Sequence, residues 1–182
     1  MGQGGYKIHD QQAIYFITFA VINKIDIFTC KEYNEIVLES LRYCQKEKGL
    51  EIYAWVLMTN HFHIIAGAKE GFVLSDIMRD FKKHTSKEII NAIQHENESR
   101  RDWLLNRFEY AGRNDNKIKN FKFWQEGYDE TTIYLVDFFN QKLNYIHENP
   151  VRAEIVTEPH HYLYSSALNY AGEKGLIDVE FI

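Results

Sequence analysis

The sequence predicts an α+β fold of the ferredoxin-like, split βαβ kind: an antiparallel sheet with helices on one face, plus a C-terminal helix that carries chemistry. Three observations lead there. The apolar runs follow the order strand, helix, strand, strand, helix. The two middle strand-like runs are separated by only Thr59, Asn60 and His61, which suits a tight antiparallel hairpin. Length and composition fit one domain, since 182 residues with 45% hydrophobic side chains can bury one core but are short for two. The domain is read as 1–182, with a charged insertion at about 94–120.

Tyr15 to Ile22 (YFITFAVI) is rich in aromatic and β-branched residues and reads as a buried strand. From Lys31 to Lys48, Tyr33, Ile36, Val37, Ser40, Leu41 and Cys44 recur at three- and four-residue steps, and Gly49 supplies a C-terminal stop. Leu50 to Met58 and Phe62 to Ala68 are the hairpin strands. Phe72, Leu74, Ile77, Met78, Phe81, Ile89, Ile90 and Ile93 then mark the apolar side of a second helix, with Arg79, Lys82, Lys83 and Lys87 mostly off it. Gln94 to Lys119 reads as a short helix with an apolar patch at Trp103, Leu104, Leu105, Phe108 and Tyr110, followed by a mobile loop over Gly112 to Asn120. Phe121 to Trp124 reads as one more strand. Thr131 to Asn149 reads as a helix with a stripe of Leu135, Phe139, Leu143 and Ile146, ending at Pro150 because proline disfavours helical geometry in its predecessor. The tail from Val151 gives few periodic cues.

Met1 to Asp10 contains no apolar core of leader length, and the longest apolar runs are strand-sized, so a cytoplasmic protein with no membrane partner is expected. Cys30 and Cys44 lack metal spacing and read as reduced packing thiols. The net charge of -5 argues against a protein that coats duplex DNA, yet Phe72 to Gln125 holds 11 Lys or Arg against 8 Asp or Glu, so basic charge is concentrated in the middle.

Two local patterns can carry chemistry. In His61-Phe62-His63, at the start of a predicted strand, alternation sends both imidazoles to one face and the phenylalanine to the other. Such a pair can ligate a divalent cation, or be two edge-of-sheet histidines with ordinary hydrogen bonds. Tyr145 and Asn149 lie one helical turn apart and outside the apolar stripe. One can attack while the other ligates, or they can be a surface tyrosine and a helix terminator. Spacing leaves both pairs of readings open.

Three segments occur in order: AWVLMTNHFHIIA at Ala54 to Ala66, FWQEGYDE at Phe123 to Glu130, and YIHENPVRAEIV at Tyr145 to Val156. Together they resemble the single-tyrosine HUH transposases, in particular the REP-associated tyrosine transposases and their insertion-sequence relatives, and PHHYLYSSALNYAG at Pro159 to Gly172 extends the likeness. The resemblance implies that His61 and His63 are metal ligands, Tyr145 is the nucleophile, and Asn149 is a third, amide ligand. Many relatives have Gln at that position; Asn is a methylene shorter, and the adjacent Glu148 and His147 are substitutes for it. It further implies a Mg2+ or Mn2+ cofactor, single-stranded or hairpin DNA as substrate, and cutting and rejoining through a 5′-phosphotyrosine link. For the DNA surface we take Arg79, Lys82, Lys83 and Lys87, with Trp124, Gln125 and Arg152 as further contacts; for each the plain alternative is solubility, core packing or helix capping. Insertion-sequence relatives are dimers with sites completed in trans, whereas REP-associated relatives can act alone; the expectation taken here is a homodimer. A domesticated nuclease for repeated palindromic hairpins, a non-catalytic nucleic-acid-binding module and a replication initiator or relaxase are the rival readings.

Overall fold

The computed structural model describes residue 8 and residues 10–113, 120–125 and 129–182. Its frame is a four-stranded antiparallel sheet of β1 (Ile14–Ala20), β2 (Leu50–Leu57), β3 (His61–Ala68) and β4 (Asp129–Ile133), in the order β2-β3-β1-β4. The helices are α1 (Lys31–Glu47), α2 (Leu74–His95), α3 (Arg101–Arg113), α4 (Val136–Arg152) and the short α5 (Ala167–Tyr170). This is the expected split βαβ arrangement, because β1 and β2 flank β3 and are joined through α1.

Alternation along the strands divides the side chains between two cores. Ile17 and Phe19 of β1, Trp55 and Leu57 of β2, and Phe62 and Ile64 of β3 share one buried cluster with Val37, Leu38 and Leu41 of α1 and Ile77, Met78, Phe81 and Ile89 of α2. Phe16, Ala54, Val56 and Ile65 point the other way and pack with Phe139 and Ile146 of α4. The crossover helices therefore share one face, and α4 covers the other. Gly49 takes φ +66°, with the Phe72 ring seated where a Cβ would stand, so this stop requires glycine on two counts.

Three expectations need correction. The fourth strand is Asp129–Ile133, not Phe121 to Trp124. That aromatic segment makes one bridge, Trp124 to Val21, and its rings fill the core between α3 and the sheet, where Phe123 meets Phe108. The true strand, DETTI, is polar because it is an edge strand, so hydropathy hides it. The following helix consequently starts at Val136 rather than Thr131 and runs through Pro150 to Arg152. Proline here removes one hydrogen bond near the helix end, and the helix closes as a Schellman motif: Glu154 N–H donates to Val151 O, Ile155 N–H donates to Pro150 O, and Glu154 is left-handed at φ 57°. The loop expected over Gly112 to Asn120 lies mostly outside the described residues.

The tail is ordered against the free edge of β2. Leu57 N–H donates to Tyr164 O, Ser166 N–H to Trp55 O and Glu180 N–H to Ile52 O, so the edge is covered. No helix among the described residues is long and apolar enough to cross a membrane.

Candidate active site

The register fixes where the histidine pair points. His63 lies opposite Thr18 and His61 opposite Ala20; Phe62 and Ile64 enter the α1–α2 core, so both histidines face α4. Their ring centroids are 4.8 Å apart at 73°. The same turn of α4 delivers the other two residues: the Tyr145 ring lies edge-on to His63 at 5.3 Å, and the Asn149 side chain lies close enough to the His61 ring to influence its charge. One chain thus brings all four residues together. Tyr145 remains 41% exposed, so its phenol can be reached from outside.

Each imidazole is held from behind. Thr18 Oγ1 lies 2.7 Å from His63 Nδ1, and Asn60 Oδ1 lies 2.8 Å from His61 Nδ1. His63 is 5% exposed, and its Nε2 has no hydrogen-bond partner among the described residues. A buried polar atom without a partner is costly, and the Tyr145 ring is packed against this same imidazole. Burial, followed by the nearby His61, Lys142 and Arg152, lowers the His63 pKa to about 3; burial also lowers that of His61. Both rings are therefore neutral at pH 7, the form that offers a lone pair. Among the described residues no group of three His, Cys, Asp or Glu could hold a metal ion. Two neutral imidazoles with an amide beside them nevertheless fit a divalent cation whose remaining positions go to solvent or substrate.

Two cations flank the tyrosine. Lys142 Nζ sits 4.5 Å over the Phe16 ring and 5.9 Å from the Tyr145 ring centroid; the Arg152 guanidinium lies 4.6 Å over Tyr145 and donates to the Tyr145 carbonyl. Lys142 and Thr18 escaped the sequence reading. Lys142 is three residues before Tyr145 on the same helix face and was there to be found; Thr18 became visible only through the strand register. Arg152, expected as a DNA contact or a helix cap, lies against Tyr145.

The remaining candidates fall elsewhere. Arg79, Lys82, Lys83 and Lys87 are on α2, across the sheet from Tyr145. Arg79 is paired with Asp76 and Asp80. Lys82 Nζ donates to the Gln125 carbonyl, so Lys82 and Gln125 bond to each other. Lys83 and Lys87 line a cleft of about 640 Å³ between α1 and α2 with Tyr43 and His84. Trp124 is a correction: it is 5% exposed, its indole N–H donates to Thr85 Oγ1, and it offers no face to a base.

A ferredoxin-like sheet with paired histidines on one strand and a tyrosine helix over them defines the single-tyrosine HUH class of transposase. The model of the family described as "Transposase IS200 like" matches residues 10–112, and the chain belongs to that family. The matched stretch includes both histidines and ends before α4. Among solved structures the chain is similar to a REP-associated tyrosine transposase bound to a REP hairpin (TM-score 0.68, 19% identity, covering 100% of this chain and 95% of that one). It is also similar to a transposase-like protein of Deinococcus radiodurans R1 (TM-score 0.47, 19% identity, covering 82% and 97%). No curated protein matches the chain.

Proposed function

We propose that this transposase cuts and rejoins single-stranded or hairpin DNA, with Tyr145 as nucleophile and a 5′-phosphotyrosine link as intermediate. The observation that carries the reading is the position of the Tyr145 ring, 5.3 Å from that of His63, whose Nε2 is buried without a partner. His61, His63 and Asn149 would hold Mg2+ or Mn2+. When bound, the cation supplies Lewis-acid stabilisation of the charge that develops on the scissile phosphate.

The chain's own residues do the rest. A phenol is a weak nucleophile at neutral pH, its ordinary pKa being near ~10. Lys142 and Arg152 beside the ring place two positive charges where the scissile strand would lie and attract the phosphodiester. The tyrosine oxygen gives up its proton to solvent and forms a bond to phosphorus as the bond from phosphorus to the 3′ oxygen breaks, and that oxygen takes a proton from solvent and leaves as a hydroxyl. A second 3′-hydroxyl reverses the step, so the phosphodiester energy is kept and no nucleotide cofactor is needed. Lys83 and Lys87, with Tyr43 in the α1–α2 cleft, are the α2 residues best placed to grip phosphates. The likeness to a transposase bound to a REP hairpin makes a palindromic hairpin the first substrate to try.

The test is incubation of labelled hairpin and unstructured oligonucleotides with Mn2+ or Mg2+. A protein–DNA adduct that survives denaturant is expected, and Tyr145→Phe should reduce it by at least about 10^3-fold. An undiminished adduct in that variant would remove Tyr145 from its role. Hairpin binding with no adduct under any metal would leave a non-catalytic binding module.

A further inference from the structure

Both histidines must present the same kind of nitrogen to the site, yet their outer contacts differ. The Thr18 hydroxyl beside His63 can donate or accept, so it follows whichever tautomer the ring adopts. Asn60 beside His61 has no such freedom. Its Nδ2 donates to Asp26 Oδ1 at 2.8 Å, and the same oxygen accepts from Thr59 Oγ1 at 2.6 Å. Were the Asn60 amide flipped, its oxygen would face the carboxylate, acceptor against acceptor. Asp26 therefore sets the amide with its oxygen toward His61 Nδ1, 2.8 Å away. An amide oxygen only accepts, so Nδ1 must carry the proton and Nε2 is left bare.

We infer that Asp26 and Asn60 are positioning residues: through the Asn60 amide, the Asp26 carboxylate selects the Nδ1–H tautomer of His61 and aims its Nε2 lone pair into the site. The backbone around them is pinned as such a role requires. Ile27 and Phe28 N–H both donate to Thr59 O at 2.9 Å, Val21 N–H donates to Asn60 O at 2.9 Å, and Arg100 Nη1 donates to the Asp26 carbonyl at 2.8 Å. The loop after β1 is thereby tied to the β2–β3 turn. Asn149 also lies near the His61 ring, but among the described residues nothing anchors its amide as Asp26 anchors that of Asn60, so it does not choose the tautomer. Outer hydrogen bonds of this kind typically change metal affinity by about 10- to 100-fold. The importance of this for cation binding rests on the function proposed above; the tautomer itself does not.

The experiment uses the full chain with 15N-labelled histidine, free of metal, and reads ring protonation from long-range proton–nitrogen spectra at neutral pH. His61 should carry its proton on Nδ1. In Asn60→Ala and in Asp26→Leu it should move wholly or partly to Nε2, while Asp26→Asn, which keeps an oxygen acceptor for the Asn60 amide, should restore the original pattern. His63, held by Thr18, is the internal control. If Asn60→Ala disturbs His63 as well, the comparison of Asp26→Leu with Asp26→Asn decides. Mn2+ titration should then show about 10- to 100-fold weaker binding in Asn60→Ala. An Nε2–H His61 in the unmodified protein, or a tautomer indifferent to both Asn60→Ala and Asp26→Leu, overturns the inference. Tautomer changes as expected in a protein that binds no Mn2+ would sustain the positioning role and overturn the cation reading instead.

Discussion

At the scale of single residues, the site is built from histidines forced to be neutral, and that has a consequence for stability. His63 has its pKa lowered to about 3, by burial above all, and His147, whose Nε2 lies 2.9 Å from Ser166 Oγ, has its lowered to about 4 by burial. In the unfolded chain both would titrate near ~6.5. Above that pH both states are neutral and neither histidine opposes folding. Below it the unfolded chain gains protons that the folded chain refuses, so stability falls with pH until about 4 for His147 and about 3 for His63. Between pH 7 and 5 the metal-free protein should lose on the order of 1–2 kcal/mol per histidine. Denaturant unfolding at the two pH values, with chelator present, checks this, and His147→Gln should remove a large part of the difference. Equal stabilities at pH 7 and 5 would mean that these rings are not shielded as the structure places them. The lowered carboxylates Asp80 and Glu98 act below this window.

Among the elements, α4 matters most because one helix carries Tyr145, Asn149, Lys142 and Arg152. It ends with Glu154 left-handed at φ 57°, a conformation that costs a residue with a Cβ roughly 1–2 kcal/mol. Glu154→Gly should therefore stabilise the protein by about 1 kcal/mol, read as a higher denaturant midpoint, without changing the amount of phosphotyrosine adduct. The same helix shows where the sequence was legible. Phe139 and Ile146 declared its buried stripe, and Tyr145 was correctly left outside it. Leu135, assigned to the stripe, is exposed at the helix N-cap. Its start was misread because Asp129–Ile133 is a polar edge strand with no hydrophobic signal. Its end was misread because proline's local penalty was outweighed by a helix-closing motif that no tripeptide encodes. The strands of the hairpin were legible for the opposite reason: both are buried and begin or end at a sharp polar break. That His61 and His63 share a face followed from alternation, and their reading as ligands from the resemblance, whereas Thr18, Asp26 and Asn60 acquire meaning only when the register brings distant segments together. Trp124 was unreadable in principle, since an aromatic that stacks on a base and one that fills a core have the same letter.

For the whole molecule, the decisive relation is which chain's tyrosine serves which histidines. α4 lies over the sheet of its own chain, with Phe139 and Ile146 buried against Phe16, Val56 and Ile65. It is also fastened to the tail by the contact between His147 and Ser166, and Ser166 in turn bonds the Trp55 backbone. Exchanging the helix with a second copy requires first lifting at least two large apolar side chains off the sheet, at roughly 1.5–3 kcal/mol each until the second sheet buries them again, and breaking the tail contacts as well. The resemblance left open a homodimer with sites completed in trans and a chain that acts alone, the expectation leaning to the dimer; within one chain α4 already brings the Tyr145 ring to 5.3 Å from that of His63. Complementation separates the two arrangements. Tyr145→Phe and His61→Ala proteins, each inactive alone, are mixed with hairpin DNA and metal. A cis site predicts that the mixture stays inactive, because no chain retains both groups. Recovery of adduct on the His61→Ala chain, whose tyrosine is intact, toward about one quarter of the level given by the same amount of unmodified protein would show that α4 exchanges between copies. The tail should then control that exchange: Ser166→Ala, which removes the hydroxyl gripping His147, would raise recovery if α4 can swap and leave the mixture inactive if it cannot.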